Sequence, residues 1–371
     1  MFKLVITFIF AFILSATSWA ANWNNSKSQN STAQSKKTVD LRIGSIIGEA
    51  KFYSPDLVQK GRFVFMLPKL CQIIEVSEKG EITFIGKLPS KLADFQSCVS
   101  AADVEHLPET DTFLVSLPKR GLAEIDRSSK VIWYCENKFN SHDVDLLEGD
   151  LIGFTNGLDR KGNNDPVFTI IDRNCKVLSQ LFAKDLDLET SRYSPEENDP
   201  TYVHANAFQL LPDNHLMISL RNFNEVVILK DSKPIKRIRR GTKWVHDPLI
   251  VNPSAPPSEM EFYLANRGRG QHIIFHDKNG NPTSVWDSTT PDGEKQLRKK
   301  NKGFGNWNPL RTVERLPNGN LLVSGSRCMG QISAQGELVW DLCFPWFQHQ
   351  KERLPDGWNF IYKVSFVSGS K

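Results

Sequence analysis

HANAFQLLPDNHLMISLRNFNEVVILKDSKPIKRI, residues 204–238, carries the pattern that decides the fold. An apolar run ends at Leu211 and meets the polar turn Pro212-Asp213-Asn214. A second run, Leu216 to Leu220, follows it. A third, Val226 to Leu229, reaches the turn Lys230-Asp231-Ser232-Lys233 and passes into Pro234-Ile235. Each half is a β-branched or apolar run, a polar turn and a further run, which is a hairpin. Two hairpins end to end make a four-stranded antiparallel unit.

The unit recurs along the chain. Its first turn is echoed by Leu107-Pro108-Glu109-Thr110, by Leu316-Pro317-Asn318-Gly319, and in degenerate form by Leu147-Glu148-Gly149-Asp150. The second turn is echoed at Ser77 to Gly80, Asp126 to Ser129, Asp172 to Cys175, Asp277 to Gly280 and Ser333 to Gly336. A four-stranded repeat of roughly 45 to 60 residues is that of a propeller blade widened by loops. A β-sandwich predicts no such regular repeat. Residues 40–371 are therefore expected to form an all-β, six-bladed β-propeller of four-stranded antiparallel blades. Helical periodicity is confined to short stretches such as Ser90 to Phe95. The polar insertions 186–201 and 289–304 read as loops over one face of the disc. The run Trp358 to Val367 is expected to pair with N-terminal strands, since an open ring would expose two sheet edges.

The 371 residues carry a formal net charge of +4 with 40% hydrophobic content, enough for a large core and too little excess charge for disorder. This mild basicity does not mark a nucleic-acid protein, and it suits an anionic small substrate equally well. Residues 1–20 combine Lys3, the apolar run Leu4 to Leu14 and the small-residue boundary Ser18-Trp19-Ala20, the layout of a cleaved signal peptide. Residues 21–39, rich in Asn, Ser, Gln and Lys, read as a disordered start of an exported chain without a membrane span. In that oxidising compartment the six cysteines Cys71, Cys98, Cys135, Cys175, Cys328 and Cys343 are expected to form disulfides, either three bridges or one or two with buried free thiols, in pairings the sequence leaves open.

Residues that open the innermost strand of each blade converge on the axis. Ser141-His142-Asp143, His204-Ala205-Asn206 and Val245-His246-Asp247 occupy that place, so three of eight histidines point to one locus. Arg221 follows where the His204 blade returns to the same face. Arg267 and Arg269, in a Gly-rich turn, repeat the device, with solvation as the plainer reading. Histidine can act as nucleophile, acid or base near neutrality, and arginine holds oxyanions through a planar fork. Asn206 adds an amide donor. The plainer readings are a turn cap for His142-Asp143, an inter-blade ion pair for Arg221, structural roles for His272 and His276, and a solvated outer strand for Lys236 to Lys243.

The run Tyr202 to Asn222, with His204-Ala205-Asn206, the Leu211-Pro212-Asp213-Asn214 turn and Ser219-Leu220-Arg221, resembles a signature of the bacterial arylsulfotransferases. His142-Asp143-Val144 and Trp244-Val245-His246-Asp247 resemble that family's other histidine segments. The resemblance spans residues from about 95 to 345, and nothing in the chain resembles the family's N-terminal β-sandwich domain. It implies an exported propeller that needs no cofactor. His246 would be the nucleophile that forms a sulfohistidine. His204, Asn206 and Arg221 would bind the sulfuryl oxygens, with Arg267 beside them, and His142 would exchange the phenolic proton. The partners would be an aryl sulfate and a phenol. Two other readings stand beside it: a metal at the axis held by His142, His204 and His246, and a non-catalytic binding propeller.

Overall fold

The computed structural model describes residues 41–367 apart from 49, 51, 68–69, 90–91, 93–102, 158–161, 163, 196–198, 200, 268–271, 288–306, 308–309, 326 and 345–360. The expected signal peptide, the N-terminal run to residue 39, Cys98, Arg269, the 289–304 insertion and most of the Ser90 to Phe95 stretch lie outside these residues.

Six four-stranded antiparallel sheets follow one another around the ring, as the repeat predicts. In chain order four sheets start from β4 (Asp103–Leu107), β8 (Asn140–Leu147), β12 (Ala205–Leu211) and β16 (Val245–Ile250), and a fifth from β20 (Thr312–Arg315). The sixth is composite: β24 (Val364–Val367) pairs with β1 (Arg62–Leu67), and β2 (Gln72–Ser77) and β3 (Ile82–Lys87) follow. Phe65 faces Val364 in that register, so the C-terminal run closes the ring as expected. The segment before β1 straps the same seam, with Ile47 N donating to Gly80 O and Ser54 N to Val339 O at 2.9 Å each.

The recurring turns share one hydrogen-bond geometry. Asp126 Oδ1 accepts from Ser128 N and Lys130 N, Asp172 Oδ1 from Asn174 N and Lys176 N, and Asp277 Oδ1 from Asn279 N and Asn281 N, all at 2.8–2.9 Å. An aspartate at the turn's start thus substitutes for a backbone acceptor and lets the third strand reverse tightly. The following arginine fastens neighbouring blades: Arg127 reaches Glu75 at 2.9 Å and Arg173 reaches Glu124 at 2.5 Å. Both glutamates are buried. The Lys236 to Lys243 tract is fastened rather than solvated, with Arg237 and Arg239 each 2.6 Å from buried Glu225. Apolar clusters fill the spaces between blades, for example Phe63, Trp340, Phe65 and Phe344 at the seam.

Disulfides join Cys135 to Cys175 and Cys328 to Cys343, and Cys71 is disulfide-bonded as well. The first links β7 (Val131–Glu136) to the turn after β10 (Pro166–Ile171), tying two neighbouring blades. The second joins facing residues of one hairpin. This bonding fits an oxidising compartment. Among the described residues no helix is long and apolar enough to cross a membrane.

Candidate functional site

Three innermost strands depart from regular pairing where they begin. Register shifts fall between Asn140 and Val144 in β8, Ala205 and Phe208 in β12, and Val245 and Pro248 in β16. Innermost strands β4, β20 and β24 pair without one. The shifted strands are the ones whose openings carry His142, His204 and His246. A bulge leaves backbone amides unpaired and re-aims the side chains around it. Those amides are answered by hydroxyls on the next strand: Thr155 Oγ1 accepts from His142 N at 3.2 Å and Asp143 N at 3.1 Å, and Ser219 Oγ accepts from Ala207 N at 3.1 Å. Backbone strain accompanies the bulges, for His204 and Trp244 take left-handed φ values of 54° and 49°. The region is uncommon for residues other than glycine, less so for histidine and least expected for bulky tryptophan, and such conformations concentrate at functional sites. Asn224 Oδ1 holds Trp244 by accepting from its amide at 2.8 Å.

His142 and His204 meet with Nε2 atoms 3.0 Å apart, and Arg221 Nη1 lies 3.0 Å from the same His204 nitrogen. On the other side of the ring, His204 Nδ1 is 3.0 Å from Asp199 Oδ2. A carboxylate accepts only, so Nδ1 carries the proton and Nε2 offers its lone pair toward Arg221 and His142. Asp199 also pairs with Arg221 Nη2 at 3.0 Å, and accepts from Thr201 Oγ1 at 2.6 Å and Asn222 Nδ2 at 2.9 Å. Burial alone would raise its pKa, but the hydrogen bonds from His204 and from the Thr201 hydroxyl and amide hold it far below the usual carboxylate range. Arg221 therefore does form an ion pair, with a carboxylate that also orients the histidine beside it.

His246 is 1% exposed, and its Nε2 is buried without a hydrogen-bond partner among the described residues. Burial first, and then the charges of Arg311, Arg267, Arg221 and His142, push its pKa well below 6.5. The imidazole is neutral and sits in a field of guanidinium groups. Two side chains that sequence reasoning missed complete this surrounding. Tyr362 stacks on His142 at 4.9 Å between centroids and meets His246 edge-on at 6.1 Å. Arg311 lies over the Tyr362 ring at 4.4 Å. Arg311 stands immediately ahead of innermost strand β20, the place that His204 holds ahead of β12, and Tyr362 stands two residues ahead of β24.

The Asn206 amide donates to Val245 O at 2.6 Å and its carbonyl accepts from Tyr362 Oη at 3.4 Å, so it joins two blades and anchors the tyrosine. Arg267, read either as solvated or as lying beside the sulfuryl-binding residues, adds its charge to those that lower the His246 pKa and has its guanidinium carbon 5.9 Å from the Trp244 ring centre. His276 Nε2 donates to Arg240 O at 3.0 Å, a structural contact, and His272 pairs with Ser284 and Asp287 at the outer hairpin. For the metal reading, His142 and His204 turn their Nε2 atoms toward each other. Among the described residues no three His, Cys, Asp or Glu side chains converge as a ligand set.

No family model matches the chain, and no curated protein matches it. Among solved structures it is similar to a protein of unknown function from Bacteroides caccae, at 11% identity and TM-score 0.49, over 82% of this chain and 98% of that one. It is similar to virginiamycin B lyase from Staphylococcus aureus at 11% identity and TM-score 0.40, over 65% and 68% of the two chains. A gluconolactonase of Xanthomonas campestris aligns at 10% identity and TM-score 0.41, over 66% and 77%. These are likenesses of architecture, and none bears on the chemistry.

Proposed function

We propose that this site transfers a sulfuryl group from an aryl sulfate to a phenol by way of a sulfohistidine at His246. One observation carries the reading: a buried, neutral imidazole with an unpartnered nitrogen lies in the combined field of Arg221, Arg267 and Arg311. A neutral imidazole is both a good nucleophile and a good leaving group, and the guanidinium groups favour an anionic ester in contact with it. In the first half-reaction a His246 nitrogen lone pair forms a bond to sulfur while the sulfur–aryl oxygen bond breaks. His142 gives its proton to the departing phenolate. In the second, the acceptor phenol returns a proton to His142, its oxygen attacks sulfur, and the sulfur–nitrogen bond breaks. Arg221, held by Asp199, stabilises charge on the equatorial oxygens, as in phosphoryl transfer.

The test is turnover of a chromogenic aryl sulfate with a simple phenol acceptor. Wild type releases the chromophore, and rapid quench with mass spectrometry finds the adduct on the peptide carrying His246. His246→Asn loses both half-reactions, and Arg221→Leu loses about 2–4 kcal/mol of transition-state stabilisation. Full turnover by His246→Asn sinks the assignment.

A further inference from the structure

His142 and His246 each precede a buried aspartate on the same strand, Asp143 and Asp247, and Tyr362 precedes buried Lys363 just ahead of β24. These three meet. Lys363 Nζ is in contact with Asp143 Oδ1, 3.5 Å from Asp247 Oδ1, and 3.4 Å from Oδ2 of buried Asp103 at the start of β4. The carboxylates are themselves tied to backbone: Asp143 Oδ2 accepts from Phe208 N at 2.7 Å and Asp103 Oδ2 from Val144 N at 3.2 Å. One ammonium thus gathers the openings of β4, β8 and β16 at the start of β24, while Asp143 carries the link to β12.

We propose that Lys363 is the positioning residue of the site, setting His142, His246 and Tyr362 in mutual register by drawing Asp103, Asp143 and Asp247 to one point. Lys363 touches no reacting atom. It acts through the residue next to each site side chain, where a one-residue lever turns a shift of the carboxylate into a shift of the ring. Other acids face the hub as well: Glu105 from β4, Asp145 from β8 and Glu314 from β20. Burial opposes the charge on Lys363, but Asp103, Asp143, Asp247 and Asp145 outweigh it and keep the ammonium protonated well beyond the ordinary lysine range. Without that cation, three buried carboxyls would face one another with no positive charge between them.

The activity arm of the test rests on the proposed sulfuryl transfer, and the spectroscopic arm does not. Lys363→Met and Lys363→Arg are compared with wild type by imidazole nitrogen–proton spectra, melting and steady-state kinetics. In Lys363→Met the His142 and His246 signals move, while those of His215 and His276, remote from the hub, stay in place. Its kcat falls about a hundredfold with KM within about threefold, the signature of misplaced groups rather than lost binding. Lys363→Arg restores most of both. Should Lys363→Met not fold, Asp247→Asn removes one arm of the hub and moves the His246 signal in a folded protein. Unchanged His142 and His246 signals in the folded variant overturn the proposal, as does a loss of activity no larger than the unfolded fraction. If wild type turns over no aryl sulfate, the sulfuryl reading fails while the spectra still decide the role of Lys363.

Discussion

Asp199 illustrates what a single carboxylate decides here. It fixes the His204 tautomer, pairs with Arg221 and accepts from Thr201 and Asn222, all within a buried corner. Asp199→Asn keeps the shape but can present a donor where an acceptor is required. kcat is expected to fall about a hundredfold or more, as happens when a histidine-orienting aspartate becomes an amide. Asp199→Ala is expected to lose about 3–5 kcal/mol of stability in denaturant unfolding, because it strands buried Arg221. His246 makes a separate prediction about pH. Its pKa lies well below 6.5, so the neutral form persists as pH falls through the ordinary histidine range. The acid limb of kcat/KM, which reports the free enzyme, should therefore lie below 6.5 when profiled between about pH 4 and 8. His142, His204, His246 and Arg221 were legible in the sequence because repeated turns on either side mark their register. Arg311 could have been found by counting back from the Leu316-Pro317 turn to the strand opening. Tyr362 has no such turn after it, and Asp199 lies in an insertion without periodicity, where nothing local betrays a contact with His204.

At the level of elements, the repeat was legible because it is written in turns, and turns depend on local chemistry. The Asp126, Asp172 and Asp277 turns adopt one hydrogen-bond pattern, so similar residues recur at equivalent places. The bulges at the openings of β8, β12 and β16 were not legible. A shifted register depends on a partner strand and on the hydroxyl that receives the freed amide, as Thr155 and Ser219 do. Nor could spacing choose the disulfide pairs, since blade contacts are what bring Cys135 to Cys175 across a separation of 40 residues. That bond links two blades and so restricts the unfolded chain over a long loop. Replacing both cysteines by serine should lower stability by about 3–4 kcal/mol in denaturant titration under oxidising conditions. The same replacement should leave the aryl sulfate assay unchanged in the folded protein, because both residues lie in outer strands and turns.

Across the whole molecule, the six-bladed ring was legible and the charge along its axis was not, because acids from separate blades become neighbours only once the ring closes. Burial, with the charges of neighbouring acids, pushes Asp145 and Asp247 up to about 8 and Glu314 up to about 7, against the pull of Lys363. In the unfolded chain these carboxyls lose their protons near pH 4. Between those limits the folded chain holds more protons than the unfolded one, so stability falls as pH rises. The melting temperature should decline from about pH 5 to pH 9, and Glu314→Gln, which keeps an acceptor for Phe366 N, should flatten the slope. The seam adds a kinetic consequence. Lys363 meets Asp103 across 260 positions of sequence, so the contact must await the ordering of nearly everything between them. In a refolding experiment, blade hairpins can form early from local pairing, whereas Tyr362 and Lys363 reach the axis only when β24 docks on β1. Chemistry at His246 should accordingly switch on with the slowest phase, as a single cooperative event, and a chain halted short of that docking would be structured yet inert.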